Sequence, residues 1–477
     1  MWTPGSPPGV PAALPLMMNS PLVAAVQRLR GRRRVAPALE GLAGIPVAAE
    51  GVHTLSSPAE FRATLLQRIA GAHERILLTA LYLQDDEGGR EVLAALYAAK
   101  AARPELEIAV YVDWHRAQRG LIGKAACAGN AALYAEMARR LGPGVPIYGV
   151  PVQTREWLGV MHLKGFVIDD AVLYSGASLN DVYLQRADRY RLDRYHLIEN
   201  RPLADSLAAL ITQVLHGNSA VCALDGEQRP RTRSLRDAIV RFRRVLAESH
   251  YGMVAGALRQ GEVAVTPLLG FGSRDNELNR VILQLIRRAQ RHLVLFTPYF
   301  NLPGAVRRAL DERLRQRCRV TIIVGDKTAN DFYVPPDEPF TAIAALPYLY
   351  ETNLRRFCRS RQSAVDQGLL ELHLWRHEQH SFHLKGMRVD DDYLLLTGSN
   401  LNPRAWRFDL ENGLLIHDPQ GALLGQQRAE MAGILAHTRR IDDHRALDAV
   451  DSYPVAVQRL LKRLARTRAD RLVNQVL

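Results

Sequence analysis

The chain carries the same pattern of potentially catalytic residues twice. Each copy reads histidine, leucine, lysine, four further residues and aspartate, followed by a short apolar segment and a loop with glycine and asparagine. The members are His162, Lys164, Asp169, Gly176 and Asn180 in the first copy and His383, Lys385, Asp390, Gly398 and Asn402 in the second. One copy alone is most often an ordinary surface strand, but two copies with matching loops indicate a site built from two related halves.

Paired imidazoles and lysines have the properties that phosphodiester chemistry requires. One imidazole can attack phosphorus while the other protonates the leaving oxygen. Ammonium groups and side-chain amides can hold the phosphoryl oxygens and stabilise the transition state. We therefore predict that His162 and His383 break and form phosphodiester bonds through a phosphohistidine, with no cofactor and no metal ion required. The side chains predicted to hold the phosphoryl oxygens are Lys164, Lys385, Ser178, Asn180, Ser399 and Asn402.

Acidic residues are needed to hold each imidazole in one tautomer. Asp193 and Glu411 are the candidates, because each precedes an apolar segment at a corresponding place in its half. Asp169 and Asp390 complete the catalytic pattern, but they sit at the turns that follow it. We expect these two residues to stabilise the turns more than to contact a substrate.

The spacing within each copy predicts a β-hairpin. Alternate residues of a strand point to the same face, so His162 and Lys164 should project together. A turn near residue 170 would pair positions whose numbers sum to about 340. A turn near Asp391 would likewise pair His383 with about Ser399. Residues that are distant in sequence would thus surround one phosphate.

The same order of helices and strands recurs around the two copies. In each half a helical segment precedes a buried apolar strand, and a second helix precedes a strand that ends in aspartate. These segments are 61–73, 75–83, 89–102 and 106–113 in the first half and 277–290, 291–300, 303–316 and 320–326 in the second. Alternating helices and strands indicate an α/β sandwich in each half.

We expect four regions along the chain. Residues 1–50 are predicted to form an arm rich in Pro, Ala and Arg, residues 51–235 and 236–440 the two lobes, and residues 441–477 a basic amphipathic C-terminal helix. The basic run of the arm is Arg28, Arg30, Arg32, Arg33 and Arg34. The apolar side of the helix is Val457, Leu460, Leu461, Leu464 and Leu472, and its basic residues are Arg459, Lys462, Arg463, Arg466, Arg468 and Arg471. Such a helix suits an anionic bilayer surface. The alternative is a helix that packs on the second lobe with a solvated basic face, and both can hold.

The charge balance favours an anionic partner. The 477 residues include 62 Lys and Arg against 49 Asp and Glu, a formal net charge of +13. Nucleic acid, an acidic membrane surface and a phosphate-bearing substrate all fit this charge.

No run of about 18 uncharged apolar residues occurs, so we predict no membrane span. Four cysteines lie far apart in sequence, and we expect reduced thiols in a cytosolic protein. They are Cys127, Cys222, Cys318 and Cys358.

The duplicated pattern resembles that of the phospholipase D superfamily. Longer stretches resemble one branch of it, the bacterial CDP-diacylglycerol–serine O-phosphatidyltransferases, from about residue 55 to the C-terminus. These stretches are 112–120, 148–156, 162–184 and 193–198 in the first half and 297–303, 324–340, 345–357 and 398–420 in the second. The resemblance implies two similar α/β sandwich lobes related by a pseudo-two-fold axis, with the active site at their interface.

The resemblance also implies a ping-pong reaction at a membrane surface. One histidine would displace CMP from CDP-diacylglycerol and hold the phosphatidyl group, and L-serine would then attack. By analogy with the superfamily, His162 is the nucleophile and His383 the general acid and base, although the symmetry of the motifs leaves the reverse assignment open. The protein would be peripheral, on the cytoplasmic face of the cell membrane. The loops 114–116 and 325–330 follow strand ends, and we expect either contacts with the CDP or serine moieties or ordinary loop chemistry there.

Other functions use the same motifs. A cardiolipin synthase or a phospholipase would share the site, although cardiolipin synthases usually carry N-terminal membrane spans. A nuclease is a more distant alternative, suggested by the net charge and the Arg-rich arm. Non-specific association with RNA or ribosomes is compatible with any of these functions. The sequence does not predict an oligomeric state.

Overall fold

The computed structural model describes Leu39, Leu42 and residues 44–120, 129–226, 228–335, 337–467 and 469–476. The basic run of the predicted arm lies outside the described residues. Cys127, Arg468 and the side chains of residues 470–472 also lie outside them. Helices and strands alternate along the described chain, as the sequence predicts for an α/β protein.

The strands of the described residues are given first, in chain order. They are β1 (Ile45–Ala48), β2 (Val52–Leu55), β3 (Arg75–Ala80), β4 (Glu107–Asp113), β5 (Ile147–Val150), β6 (Phe166–Ile168), β7 (Ala171–Ser175), β8 (Arg191–Leu192), β9 (Tyr195–Glu199), β10 (Cys222–Ala223), β11 (Glu262–Phe271), β12 (His292–Thr297), β13 (Arg319–Gly325), β14 (Leu370–Trp375), β15 (Ser381–Phe382), β16 (Gly386–Val389), β17 (Tyr393–Thr397), β18 (Leu410–His417) and β19 (Thr438–Ile441).

The α-helices connect these strands and cover the sheets. They are α1 (Pro58–Gly71), α2 (Glu87–Ala102), α3 (Trp114–Ala117), α4 (Ala131–Leu141), α5 (Arg201–Leu210), α6 (Arg236–Glu248), α7 (Glu277–Arg288), α8 (Gly304–Arg315), α9 (Leu346–Arg359), α10 (Gln362–Asp366), α11 (Pro403–Arg407), α12 (Leu424–Leu435), α13 (Val455–Arg466) and α14 (Ala469–Val476).

Two large mixed sheets have the same strand order. The first runs β10-β5-β4-β3-β6-β7-β9-β2, and the second runs β19-β14-β13-β12-β16-β17-β18-β11-β1. In each sheet three neighbouring strands are parallel, and the remaining strands pair in antiparallel fashion. Eight positions therefore correspond from one sheet to the other, and β1 is an addition at the edge of the second. This order confirms two similar α/β halves.

Burial on both faces explains the apolar composition of the central strands. Strand β3 is buried from Ile76 to Ala80, and such strands need cover on both sides. One large core cluster joins residues of the first half to Val265, Leu396 and Leu414 of the second sheet. The two halves therefore share a continuous apolar interface, and the polar groups placed there must satisfy one another.

The predicted hairpins are present, but the motif residues are not part of them. Phe166 pairs with Leu173, within one residue of the predicted register, and Met387 pairs with Leu395 in the predicted register. The prediction that the His-x-Lys segments continue these strands is wrong. Gly165 and Gly386 have positive φ values of 107° and 113°, so the chain bends between each lysine and the hairpin that follows it.

Each bend directs the motif toward the opposite half. The N–H of His162 donates to the C=O of Leu410 at 2.8 Å, at the start of β18. The N–H of His383 donates to the C=O of Leu192 at 2.8 Å, at the end of β8, and β15 pairs with β8 in parallel. Each motif is therefore hydrogen-bonded next to the acidic residue of the other half.

Three predicted boundaries differ from the structure. Residues 45–48, assigned to the arm, form β1 and pair with β11 of the second sheet. Helix α6, assigned to the second lobe, contributes Ile239, Phe242 and Leu246 to the core cluster that contains most of the first half. The predicted C-terminal helix is two helices, α13 and α14, which follow β19. Sequence periodicity does not show which sheet such flanking elements join.

Two predictions from composition agree with the structure where it can be assessed. Among the helices that the structure describes, none is long and apolar enough to cross a membrane. Cys222, Cys318 and Cys358 are free thiols.

Candidate active site

The two motif histidines are hydrogen-bonded to the acidic residues of the opposite halves. His162 Nδ1 lies 3.0 and 2.9 Å from the two carboxyl oxygens of Glu411. His383 Nδ1 lies 3.2 Å from Asp193 Oδ2. All four side chains are buried. Each imidazole therefore depends on a residue that the other half contributes.

The two motif lysines are buried beside the histidines. Lys164 Nζ donates to the C=O of Ala177 at 3.1 Å and to Ser178 Oγ at 3.2 Å. Lys385 Nζ donates to Asp193 Oδ2 at 2.6 Å. Lys385 thus has a direct carboxylate partner from the other half, whereas the hydrogen-bond partners of Lys164 Nζ are neutral. A buried ammonium with neutral partners is suited to an anionic ligand.

Two glycines make room for these lysines. A Cβ on Gly176 would lie 2.7 Å from Lys385 Nζ and 2.7 Å from Asp193 Oδ1. A Cβ on Gly398 would lie 2.8 Å from Lys164 Cγ. The glycine of each loop therefore lets the lysine of the opposite half approach the backbone.

Asp169 and Asp390 tie the hairpin turns to the neighbouring strands, as expected from their positions. The Asp169 carboxylate accepts the N–H groups of His73, Glu74 and Arg75. The Asp390 carboxylate accepts three successive N–H groups at residues 290–292. Both aspartates have positive φ values, 50° and 57°, at the turn. This geometry gives them a structural task and leaves no carboxylate oxygen directed to the imidazoles.

The predicted phosphate-binding loops are held by their own side chains. Asn180 Oδ1 accepts the N–H of Tyr183 at 3.2 Å, and Asn402 Oδ1 accepts the N–H of Ala405 at 2.8 Å. The backbone N–H of Ser399 donates to Thr397 Oγ1, and Ser399 is buried like Ser178. Because Oδ1 is used within the loop, the amide NH₂ group of each asparagine is the end that can donate to a ligand.

The histidines are kept neutral in the resting site. Burial, together with the charges of Lys164 and Lys385, holds the pKa of His162 well below its ordinary value. Burial and Lys385 lower the pKa of His383 to about 4. Burial and the neighbouring Lys385 lower the pKa of Lys164 to about 7. A bound phosphodiester would supply the negative charge that this cluster of cations lacks.

The two acidic partners differ in their electrostatic surroundings. Burial and the nearby Asp409 raise the pKa of Glu411 well above its ordinary value. Burial also acts to raise the pKa of Asp193, but Lys385 and His383 outweigh it and hold this pKa below its ordinary value. Asp193 is therefore ionised at neutral pH, whereas the pKa of Glu411 is shifted in the opposite direction.

The surroundings of His383 Nδ1 also contain two donors. Tyr183 Oη lies 2.8 Å from this nitrogen, and Lys385 Nζ is in close contact with it. The duplicated motif alone does not identify Tyr183 as a site residue. Its position three residues after Asn180, where the second half has Ala405 after Asn402, is the signal that could have identified it.

The potential metal ligands of the described residues lie outside the two motifs. His377, Glu378 and His380 place one ligand atom each within 4.8 Å of one another, in the turn before β15. The acids that contact the motif histidines, Asp193 and Glu411, are already engaged with an imidazole or an ammonium group.

Comparison with known proteins shows where this chain belongs. It is 50% identical over 441 residues to the CDP-diacylglycerol–serine O-phosphatidyltransferase of Escherichia coli K12, which covers 91% of this chain and 97% of that protein. The present chain therefore belongs to the CDP-diacylglycerol–serine O-phosphatidyltransferase family. The Haemophilus influenzae Rd member is 46% identical over 449 residues, 93% of this chain and 99% of that protein.

Structural comparison agrees with membership of the family. The crystal structure of phosphatidylserine synthase from Haemophilus influenzae Rd KW20 superposes with a TM-score of 0.89 and 45% identity, covering 96% of this chain and all of that one. A family model described as "Cardiolipin synthase, PLD-like domain" matches residues 282–433. That match spans the second motif, which confirms the relation to the phospholipase D superfamily.

In both loops predicted to contact substrate, side chains are hydrogen-bonded within the protein. Trp114 is buried and its indole N–H donates to Thr232, and His115 Nε2 bonds to the C=O of Gln153. In the other loop Lys327 Nζ donates to Glu351 and to Asp448. These three side chains are engaged within the protein, so the expectation that they contact substrate is weakened.

Proposed function

We propose that this chain transfers the phosphatidyl group from CDP-diacylglycerol to L-serine, with release of CMP, through a phosphatidyl-histidine intermediate. Membership of the CDP-diacylglycerol–serine O-phosphatidyltransferase family supports the substrates and products. Two buried histidines with acids from opposite halves support the chemistry. No redox group or nucleophile other than the imidazoles is required.

The partners of the two Nδ1 atoms carry the assignment of roles. His162 Nδ1 is hydrogen-bonded to Glu411, whose carboxyl oxygens can accept a proton from Nδ1–H. This tautomer leaves Nε2 with a lone pair, as a nucleophile requires. His383 Nδ1 faces an acceptor, Asp193, and two donors, Tyr183 and Lys385. That set can stabilise either tautomer, as an acid that later becomes a base requires.

The first half-reaction follows from these tautomers. His162 Nε2 attacks the phosphorus of the phosphatidyl group, and the bond to the CMP oxygen breaks. His383, which takes up a proton when the anionic substrate binds, donates that proton to the CMP oxygen and becomes neutral. The imidazole of His162 then carries positive charge, which the carboxyl of Glu411 stabilises at Nδ1. Lys164 and Lys385 neutralise the phosphoryl oxygens that gain charge in the transition state.

The second half-reaction uses the same groups in reverse. His383 Nε2 accepts the hydroxyl proton of serine, the serine oxygen attacks phosphorus, and the bond to His162 breaks. Asp193 stabilises the imidazolium that forms on His383, because this carboxylate is ionised at neutral pH. The product is phosphatidylserine and His162 is neutral again, and His383 releases the serine proton to solvent when the product leaves.

We also propose that the protein acts as a peripheral protein on the cytoplasmic face of the membrane. Val457 and Leu461 of α13 pack against the protein, so the apolar side of this helix is not available for insertion. The exposed side presents Arg459, Arg463 and Arg466. Each such residue near anionic headgroups contributes about 1 kcal/mol, so the attachment is electrostatic and salt-sensitive. RNA or ribosomes would be held non-specifically by the same charges.

The decisive experiment measures CMP release from CDP-diacylglycerol in mixed micelles, with and without L-serine, and identifies the lipid product. We expect serine-dependent formation of phosphatidylserine. Release of CMP with only phosphatidic acid or a glycerol-derived lipid would assign another acceptor to the same chemistry. Absence of CMP release would contradict the proposal and favour a nuclease, which cleavage of DNA or RNA would then reveal.

A further inference from the structure

The backbone of Arg116 is connected to the segment of His162 through one carboxylate. Arg116 is the third residue of α3, and its N–H donates to Asp113 Oδ1 at 2.8 Å. The other oxygen of the same carboxylate accepts the N–H of Met161 at 2.9 Å, and the next residue along the chain is His162. One buried carboxylate therefore holds the start of α3 beside the segment that carries the nucleophile.

The side chain of Arg116 stacks on Tyr82, a residue that is hydrogen-bonded to the predicted phosphate-binding loop of the first half. Its guanidinium carbon is 4.8 Å from the centre of the Tyr82 ring. The C=O of Tyr82 accepts the N–H of Leu179, which stands between Ser178 and Asn180. The guanidinium and this loop are thus fastened to the same residue.

Arg116 has no ion-pair partner among the described residues, unlike other arginines near the site. Arg119 pairs with Glu156, Arg404 with Asp409 at 3.3 Å, and Arg191 with Asp331 at 2.7 Å. Two acids, Asp113 and Glu156, raise the pKa of Arg116 through their charges, but both already have other partners. Asp113 accepts backbone N–H groups, and Glu156 is held by Arg119. The equivalent loop of the second half shows the contrast, since Lys327 there has two carboxylate partners.

A half-buried guanidinium without a direct ion-pair partner is costly in the resting protein. Burial, with the positive charge of Arg119, lowers the pKa of Arg116. An anion that presents two oxygens to the guanidinium would relieve this cost, and a phosphate can accept both hydrogen bonds of the guanidinium fork. Tyr82 already covers one face of the guanidinium, so its edge remains for the anion.

We propose that Arg116 binds the second phosphate of the substrate diphosphate, the one that leaves as CMP. This inference rests on the proposed function and names a further binding residue for it. Lys164 and Lys385 serve the phosphoryl group that His162 attacks, so a separate cation is needed for the other phosphate. When the phosphorus–oxygen bond breaks, that phosphate gains a negative charge, and Arg116 stabilises it.

Two isotope-exchange reactions distinguish binding of the second phosphate from an effect of Arg116 on both half-reactions. Exchange of labelled CMP into CDP-diacylglycerol involves the second phosphate. Exchange of labelled serine into phosphatidylserine, without nucleotide, uses the same histidines but no second phosphate. We expect Arg116→Ala to lower the CMP exchange about 100-fold, and at least about 30-fold more than the serine exchange. Arg116→Lys, which keeps the charge but loses the fork, should lower the CMP exchange about tenfold.

The matched control is Arg62→Ala, which removes a similarly half-buried arginine that pairs with Glu91 on α2. It should change the ratio of the two exchange rates by less than about twofold. An equal loss of both exchanges in Arg116→Ala and Arg116→Lys, or no loss in either, would overturn the inference. Absence of both exchanges in the wild-type protein would instead count against the ping-pong reaction itself.

Discussion

His162 and His383 occupy equivalent places in the two halves, yet their Nδ1 atoms face different partners. The first faces a carboxyl group whose pKa burial raises, and the second faces an ionised aspartate, a lysine and a tyrosine. Duplication gave the two halves the same backbone arrangement, and the difference lies in a few side chains. The comparison teaches that a symmetric scaffold can hold one histidine for attack and the other for proton transfer.

Removal of each imidazole gives the largest effect and tests the comparison directly. We expect His162→Ala and His383→Ala each to lower phosphatidylserine formation by at least about 10⁴-fold. His383→Ala should still release about one CMP per protein and retain a covalent phosphatidyl group, because CMP leaves readily and the nucleophile is intact. Labelled CDP-diacylglycerol, followed by denaturing electrophoresis, detects that adduct.

The adduct also tests the assignment of roles. His162→Ala is the matched variant, and it should form no adduct. A covalent lipid on His162→Ala, together with none on His383→Ala, would reverse the two roles while preserving the chemistry.

Replacement of Asp193 and Glu411 by isosteric amides should lower kcat to different extents. Asp193→Asn removes an ionised partner of both His383 and Lys385, so we expect a loss on the order of 10³-fold in kcat. Glu411→Gln keeps a carbonyl oxygen that can accept the Nδ1–H of His162, so the loss should be only about tenfold. Steady-state kinetics of the two variants, with thermal unfolding as a control for folding, checks this order. Equal losses would show that the two acids act alike.

The pH dependence should report on Lys164, the lysine without a carboxylate partner. Its pKa of about 7 means that it is charged below this pH and neutral above it. Because the charged form holds the phosphoryl group, kcat/KM for CDP-diacylglycerol should fall as pH rises through about 7, approaching tenfold per pH unit. Lys164→Arg should move the fall beyond pH about 9, because a guanidinium stays protonated there. A flat profile from pH 6 to 9 in the wild-type protein would contradict this interpretation.

The smallest expected effect comes from the hydroxyl that distinguishes the two halves. Tyr183→Phe removes one donor to His383 Nδ1 and leaves Lys385 in place, so we expect a three- to tenfold loss in kcat. The loss should be larger in serine transfer than in CMP release, which single-turnover measurements of the two steps can separate. No change in either step would limit Tyr183 to packing.

The sequence predicts local geometry well and pairings between the halves poorly. The registers of both hairpins and the tasks of Asp169 and Asp390 at the turns follow from spacing alone. Spacing does not show that Glu411 serves His162 and Asp193 serves His383, because that crossing arises only when the two sheets dock. The sequence also does not predict that Arg116 lacks a direct ion-pair partner, because this depends on which neighbouring acids are already engaged.

The crossed hydrogen bonds have a consequence for the timing of synthesis. His162 leaves the ribosome 249 residues before Glu411, and Asp193 leaves 190 residues before His383. A nascent or truncated chain that ends before residue 411 therefore carries a histidine motif without the carboxyl group that orients it. Reactivity toward a lipid substrate would therefore arise only after residue 411 has been synthesised and the two halves can pack together.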